Sequence, residues 1–247
     1  SSIGCATTLA PPPRKPLLVA ERTAGITYFV EQLTLDGWLL LIGNESAKSR
    51  ALGLSAVHEK HLPCPNGRWV QLRTADDARP VDDVDVFASH IVLFERDDGI
   101  PRARVLRVVH GAPAFDVVNP RPGCASICDV RGGVEQSPPN LVDEGFVPLP
   151  GDGAPCALAP SPNRTFHSSR LHFEHSSPIV PPTPYVFDLN SRSLTARASP
   201  SEPPPTEPLR CMRIHAPAPD GARIPLTLVH AAHLEPTADT PLHVVVY

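Results

Sequence analysis

The sequence predicts a mainly β fold: about three blades of a β-propeller, followed by the first strands of an α/β domain. Three observations predict it. Short apolar runs, each stopped by Gly, Asp or Asn, come in groups of four, and the group recurs roughly every forty to fifty residues. The chain holds thirty-two prolines, far above an average usage of roughly 5%, which favours strand ends and loops over long helices. The closing run, Pro241 to Tyr247, is apolar except for Pro241 and His243, as suits a strand buried on both faces.

The elements follow in order. Residues 1–16 are polar and end in a proline cluster, so they read as an incomplete strand and a loop. The first group is Leu17-Leu18-Val19, Ile26 to Glu31, Trp38 to Ile42 and Arg50 to Leu54, with turns at Ala24-Gly25 and Leu35-Asp36-Gly37. The second is Trp69 to Leu72, Val81 to Phe87, His90 to Arg96 and Arg102 to Val109, with Asp97-Asp98-Gly99 as the last hairpin turn. The third is Gly145 to Leu149, Leu171 to His175, Tyr185 to Leu189 and Leu194 to Arg197, with a turn at Asn190 to Ser193. Residues 111–145, rich in Pro, Gly, Ser and Asn, read as a flexible insertion.

A four-stranded sheet cannot bury both apolar faces alone, and radial packing of sheets covers both. A β-sandwich uses the same local signals, and the repeat spacing favours the propeller. Residues 1–198 are thus expected to be a partial propeller. The Pro-rich stretch 199–208 marks a linker, because consecutive prolines favour an extended helix. Beyond it, two apolar runs flank Asp220-Gly221, a hairpin signal. Residues 209–247 read as the truncated opening of the second domain.

Composition excludes several functions. The net charge of −4 gives no electrostatic case for nucleic acid or a membrane surface, and no run approaches the ~20 apolar residues of a spanning helix. The six cysteines, at 5, 64, 124, 128, 156 and 211, lack metal-site or redox spacing and read as free thiols of a cytoplasmic protein. Asn44-Glu45-Ser46 and Asn163-Arg164-Thr165 match the glycosylation sequon, which matters only in a secreted protein.

No catalytic, cofactor-binding or metal-binding residue is put forward. There is no Gly-x-Ser-x-Gly elbow and no Gly-rich phosphate loop. His172 and His175 flank Glu174 on one strand, but a spacing of three puts them on opposite faces, so they read as surface or interblade histidines. His230 and His233 read as exposed loop residues. Asp82, Asp83 and Asp85 alternate with Val81, Val84 and Val86 as a solvated strand face, though acidic propeller walls could attract basic peptides.

Four collinear segments carry a family resemblance. They are Gly25 to Glu31 with Gly43 to Arg50; Asp83 to Phe87 with His90 to Arg102; Leu171 to Ser177 through Pro184 to Leu189; and Asp220 to Val229 with Pro241 to Tyr247. Together they resemble the prolyl oligopeptidase family of serine peptidases, in particular its oligopeptidase B and prolyl-endopeptidase-like branches. The resemblance implies a seven-bladed propeller that caps an α/β-hydrolase domain and admits only short peptides. It implies a Ser-Asp-His triad with a tyrosine in the oxyanion hole, and, for the oligopeptidase B branch, cleavage after Lys or Arg. The 111–145 insertion is longer than the family's connection. Tyr247 matches a strand-end tyrosine just before the oxyanion tyrosine, and all triad positions are expected beyond it.

Three functions follow as expectations. The chain is the propeller part of a serine oligopeptidase, with the hydrolase domain in cis and short peptides as substrates. Or the part-propeller is a binding module or remnant. Or the whole protein is a prolyl-endopeptidase-like esterase or thioesterase. In each case residues 1–247 alone are expected to be inactive and prone to aggregate through uncovered sheet faces.

Overall fold

The computed structural model describes residues 18–19, 22–44, 51–62, 69–110, 138–151, 154–197 and 207–234. These residues form fourteen strands in four antiparallel sheets and one short 3-10 turn, Glu59–His61. The first sheet holds β1 (Tyr28–Gln32), β2 (Trp38–Asn44), β3 (Leu52–His58) and β4 (Val70–Arg73). The second holds β5 (Val81–Val86), β6 (His90–Asp97), β7 (Ile100–Val109) and β8 (Asn140–Phe146). The third holds β9 (Ala157–Pro160), β10 (Arg170–Ser177), β11 (Val180–Asp188) and β12 (Ser193–Ala196). In each, the strands lie side by side in chain order. A separate hairpin, β13 (Leu209–Pro217) and β14 (Arg223–Ala231), follows.

Turn chemistry explains the meander. Asp97 pairs with Ile100, leaving Asp98 and Gly99 as the connection, and both have positive φ, 49° and 72°. That is the two-residue turn whose twist matches a hairpin, and it needs Gly, Asn or Asp. At the β11–β12 turn, Asp188 Oδ1 accepts from the backbone N–H groups of Asn190 (3.0 Å) and Ser191 (2.8 Å), a side chain closing its own turn. The Asp220-Gly221 hairpin forms too, but not through a two-residue turn. Pro217 pairs with Arg223, so residues 218–222 form the loop, and the positive φ of 84° falls on Gly221.

The core lies between sheets. Ile91 and Leu93 of β6 pack with Leu40, Ile42 and Leu54 of the first sheet. Val92 and Phe94, on the other face of β6, pack with Leu171, Phe173 and Phe187 of the third. Successive side chains of a strand point to opposite faces, so β6 is enclosed from both sides and shows no polar alternation over its first five residues. Each such buried side chain stabilises the stack by about 1.5–3 kcal/mol.

Three expectations need correction. The group borders fall one strand later than the sequence spacing predicts. Val70 to Leu72 lies in β4, which pairs with β3 and closes the first sheet, and Phe146 lies in β8, which pairs with β7 in the second. The first strand of the third sheet is β9, a segment not read as a strand. Leu18 and Val19 lie outside the strands. The 111–145 insertion is also too long as drawn, because its end from Asn140 onward is β8. Residues 111–137 of it, most of the 199–208 linker and the Pro241 to Tyr247 run lie outside the described residues.

Candidate functional site

The candidate site is an acidic edge where segments from all three sheets converge. Glu31 comes from β1, and Asp83 and Asp85 come from β5. Asn163 comes from the segment after β9, which reaches across to Asp85. Asn163 Nδ2, with two protons to give, lies within hydrogen-bond distance of Asp85 Oδ2 (2.7 Å), the Ser161 carbonyl (2.9 Å) and the His172 carbonyl (3.0 Å). Its Oδ1 accepts from the His172 N–H at 2.8 Å. The amide thus stands in for a strand partner of His172 while holding Asp85.

Asp85 is half-buried, and this desolvation pushes its pKa up to about 6. The Asn163 hydrogen bond opposes the rise, and the charges of Asp83 and Glu31 add to it. Asp85 is therefore not simply part of a solvated face. Asp83 stays exposed and accepts from the Val84 N–H at 2.8 Å, and Asp82 turns to Arg96 at 2.8 Å. The charges of Asp83 and Glu31 act on Asp85, and an acidic edge of this kind attracts positive charge.

A second ionic group ties the first two sheets together. The Glu95 side chain is fully enclosed and accepts from Arg73 Nη2 (2.9 Å) on β4 and Arg104 Nε (2.7 Å) on β7. Arg104 also reaches Asp143 Oδ2 at 2.6 Å, and its guanidinium lies 4.2 Å from the Phe146 ring centroid. Burial works against the charge on Arg104, but Glu95 and Asp143 outweigh it and hold its pKa above the ordinary value. Two arginines and two carboxylates leave the group neutral, as a buried ionic cluster requires.

A third arrangement resembles a hydrolytic relay. The Ser89 hydroxyl lies 2.9 Å from His90 Nδ1, and His90 Nε2 lies 3.6 Å from Glu144 Oε2. That second distance exceeds a hydrogen bond. Arg107, at 2.7 Å, and Arg192, at 3.8 Å, already meet the charge of Glu144. Burial holds the pKa of His90 below the usual histidine value, with Glu144 only partly offsetting it. The group is an ion cluster joining β6, β7, β8 and the β11–β12 turn.

The residues weighed in the sequence fall as follows. His172 is half-exposed and His175 buried, on opposite faces of β10, as their spacing predicts. His175 faces the third-sheet core beside Tyr185, with centroids 6.1 Å apart, and burial lowers its pKa. His230 is not in a loop: it lies in β14 opposite Arg210, while His233 lies in the turn that follows. Cys211 is a free thiol, and burial pushes its pKa up. Among the described residues no three His, Cys, Asp or Glu side chains gather as metal ligands, and no helix is long and apolar enough to cross a membrane.

Sequence reasoning missed the role of both sequon asparagines. Asn44 Nδ2 donates to the Gly25 carbonyl at 2.9 Å and its Oδ1 accepts from the Thr27 N–H at 2.6 Å, clasping the start of β1. The only available signal was an Asn near a Gly turn.

No family model matches the sequence. The prolyl endopeptidase-like protein of Pongo abelii is 22% identical over 232 residues, which cover 94% of this chain and 26% of the relative. Two solved structures share the fold. One is oligopeptidase B from Trypanosoma brucei in a closed form with covalently bound antipain, with a TM-score of 0.57 and 23% identity. It matches 85% of this chain and 26% of its own. The chain is similar in sequence to this prolyl endopeptidase-like protein and shares its fold with oligopeptidase B over the matched stretch. The other structure, oligopeptidase B from Leishmania major, has a TM-score of 0.58 and 18% identity and covers 85% of this chain and 26% of its own. The chain spans about a quarter of the length of the proteins it matches, 26% in each of these three cases.

Proposed function

We propose that this chain is the substrate-gating propeller portion of a serine oligopeptidase. Its three stacked sheets are three propeller blades, and residues 209–247 begin the α/β-hydrolase domain that carries the triad in cis. The observation that carries this reading is the stacking of three consecutive four-strand meanders, the middle one covered on both faces, beside an acidic edge where the charges of Glu31 and Asp83 act on Asp85. That edge supports short peptides containing Lys or Arg as substrates, because carboxylates from β1 and β5 meet there. Chemistry in the whole protein is acyl transfer: a serine attacks the peptide carbonyl, a histidine takes its proton, and oxyanion-hole donors stabilise the tetrahedral intermediate. Neither nucleic acid nor a membrane is a partner. The free thiol Cys211 supports a cytoplasmic location.

The test is to sequence the transcript beyond Tyr247 and assay the full-length product. A downstream Gly-x-Ser-x-Gly elbow and hydrolysis after Arg in short peptides are expected. Absence of the elbow sinks the peptidase and leaves a binding module. Turnover of thioesters but not peptides moves the protein to the esterase alternative. In an active enzyme, Asp83→Asn with Asp85→Asn raises KM for Arg-containing peptides and leaves kcat unchanged. An unchanged KM removes the acidic edge from substrate selection.

A further inference from the structure

The β13–β14 hairpin meets the second sheet at the Asp98-Gly99 turn. Arg213 Nη2 donates to the Asp98 carbonyl at 2.5 Å, and His215 Nε2 lies 3.9 Å from Asp98 Oδ2. The positive φ of Asp98 and Gly99 shapes the turn that presents this carbonyl. Gly99 also supplies the space, since a Cβ there would stand 2.9 Å from Arg213 Nη2. The guanidinium could swing away from a methyl group, but only by giving up its bond to Asp98. Arg213 and His215 lie on one face of β13, because they are two residues apart.

We propose that the Asp98-Gly99 turn is a docking notch that latches the hairpin to the second sheet. The hydrogen bond from Arg213 carries the latch, and His215 stands beside it on the same face of β13. On β14, Pro225 lies opposite His215, with Arg223 and Thr227 to either side.

The test uses the 247-residue chain with bioorthogonal fluorophores at Asp220, at the hairpin tip, and at Ala78, beside the second sheet. Single-molecule energy transfer reads the docked fraction. One short-distance population is expected in the parent. Arg213→Gln and Gly99→Ala shift the chain to long distances. Unchanged distances in both Arg213→Gln and Gly99→Ala, each with the parent circular dichroism, overturn the latch. Should Gly99→Ala lose the parent spectrum, Arg213→Gln alone decides, since Arg213 lies outside the three stacked sheets.

Discussion

Glu95→Gln removes one negative charge from the enclosed group between the first two sheets and keeps the side chain's size. In the parent, both carboxylate oxygens are used, one by Arg73 and one by Arg104. Breaking a buried ion pair from one side costs about 3–5 kcal/mol, because the other charge stays buried without its partner. Arg104 keeps Asp143 and the Phe146 ring, and Arg73 can turn toward water, so the expected loss is at the lower end, about 2–4 kcal/mol. Asp82→Ala, which breaks the half-exposed pair with Arg96, is expected to cost only about 0–1 kcal/mol. Pulse proteolysis across a urea gradient at low protein concentration measures both. The double variant Glu95→Leu, Arg104→Met should lose less than the sum of its single changes, because it leaves no unpaired charge. A Glu95→Gln loss no larger than that of Asp82→Ala, or an additive double variant, would refute the reasoning.

Further outcomes are expected. The raised pKa of Asp85, about 6 against an ordinary 3.8, means its charged form is disfavoured in the fold. That cost is fully present above pH 6 and vanishes below the unfolded value, so this residue makes the protein more stable as pH falls through the window. Asp85→Asn should flatten that slope, and the difference from the parent isolates it from His90, His172 and His175, which titrate in both. Asn163→Ala should cost about 1–3 kcal/mol by orphaning the backbone of His172 and its neighbours. When the chain is routed through a secretory pathway, neither Asn44 nor Asn163 should carry glycan once folded, a point intact mass settles. The 247-residue chain should associate, since Phe29 is 56% exposed and Met212, Ile214 and Leu226 of the hairpin are about 40% exposed. It should hydrolyse no peptide reporter, and light scattering and a fluorogenic assay check the two halves.

The sequence shows the long strands and the turns because their signals are local. Asp98-Gly99 demands a hairpin wherever it stands, and β6 reads as apolar because it is enclosed on both faces. The phase of the sheets is not local. β4 has four residues and β9 is Ala-Leu-Ala-Pro, without a β-branched side chain between them except Val70. Only the partners β3 and β10 assign them. The acidic edge was visible as composition but not as a site. The burial of Asp85 depends on Asn163, seventy-eight residues away in the chain. The sequon pattern drew attention to that asparagine for a different chemistry.

The enclosure of β6 creates a problem of alignment. A strand with one wet face reports its own register, because sliding it by one residue turns its apolar side chains outward. Ile91-Val92-Leu93-Phe94 carries no such mark, since either set of alternating side chains would suit either neighbouring sheet. Glu95 supplies the mark. One step of slippage would aim its carboxylate away from Arg73 and Arg104 and into the apolar layer formed by Leu171, Phe173 and Phe187. A single buried charge thereby selects one alignment of the middle sheet among several that hydrophobicity alone would accept.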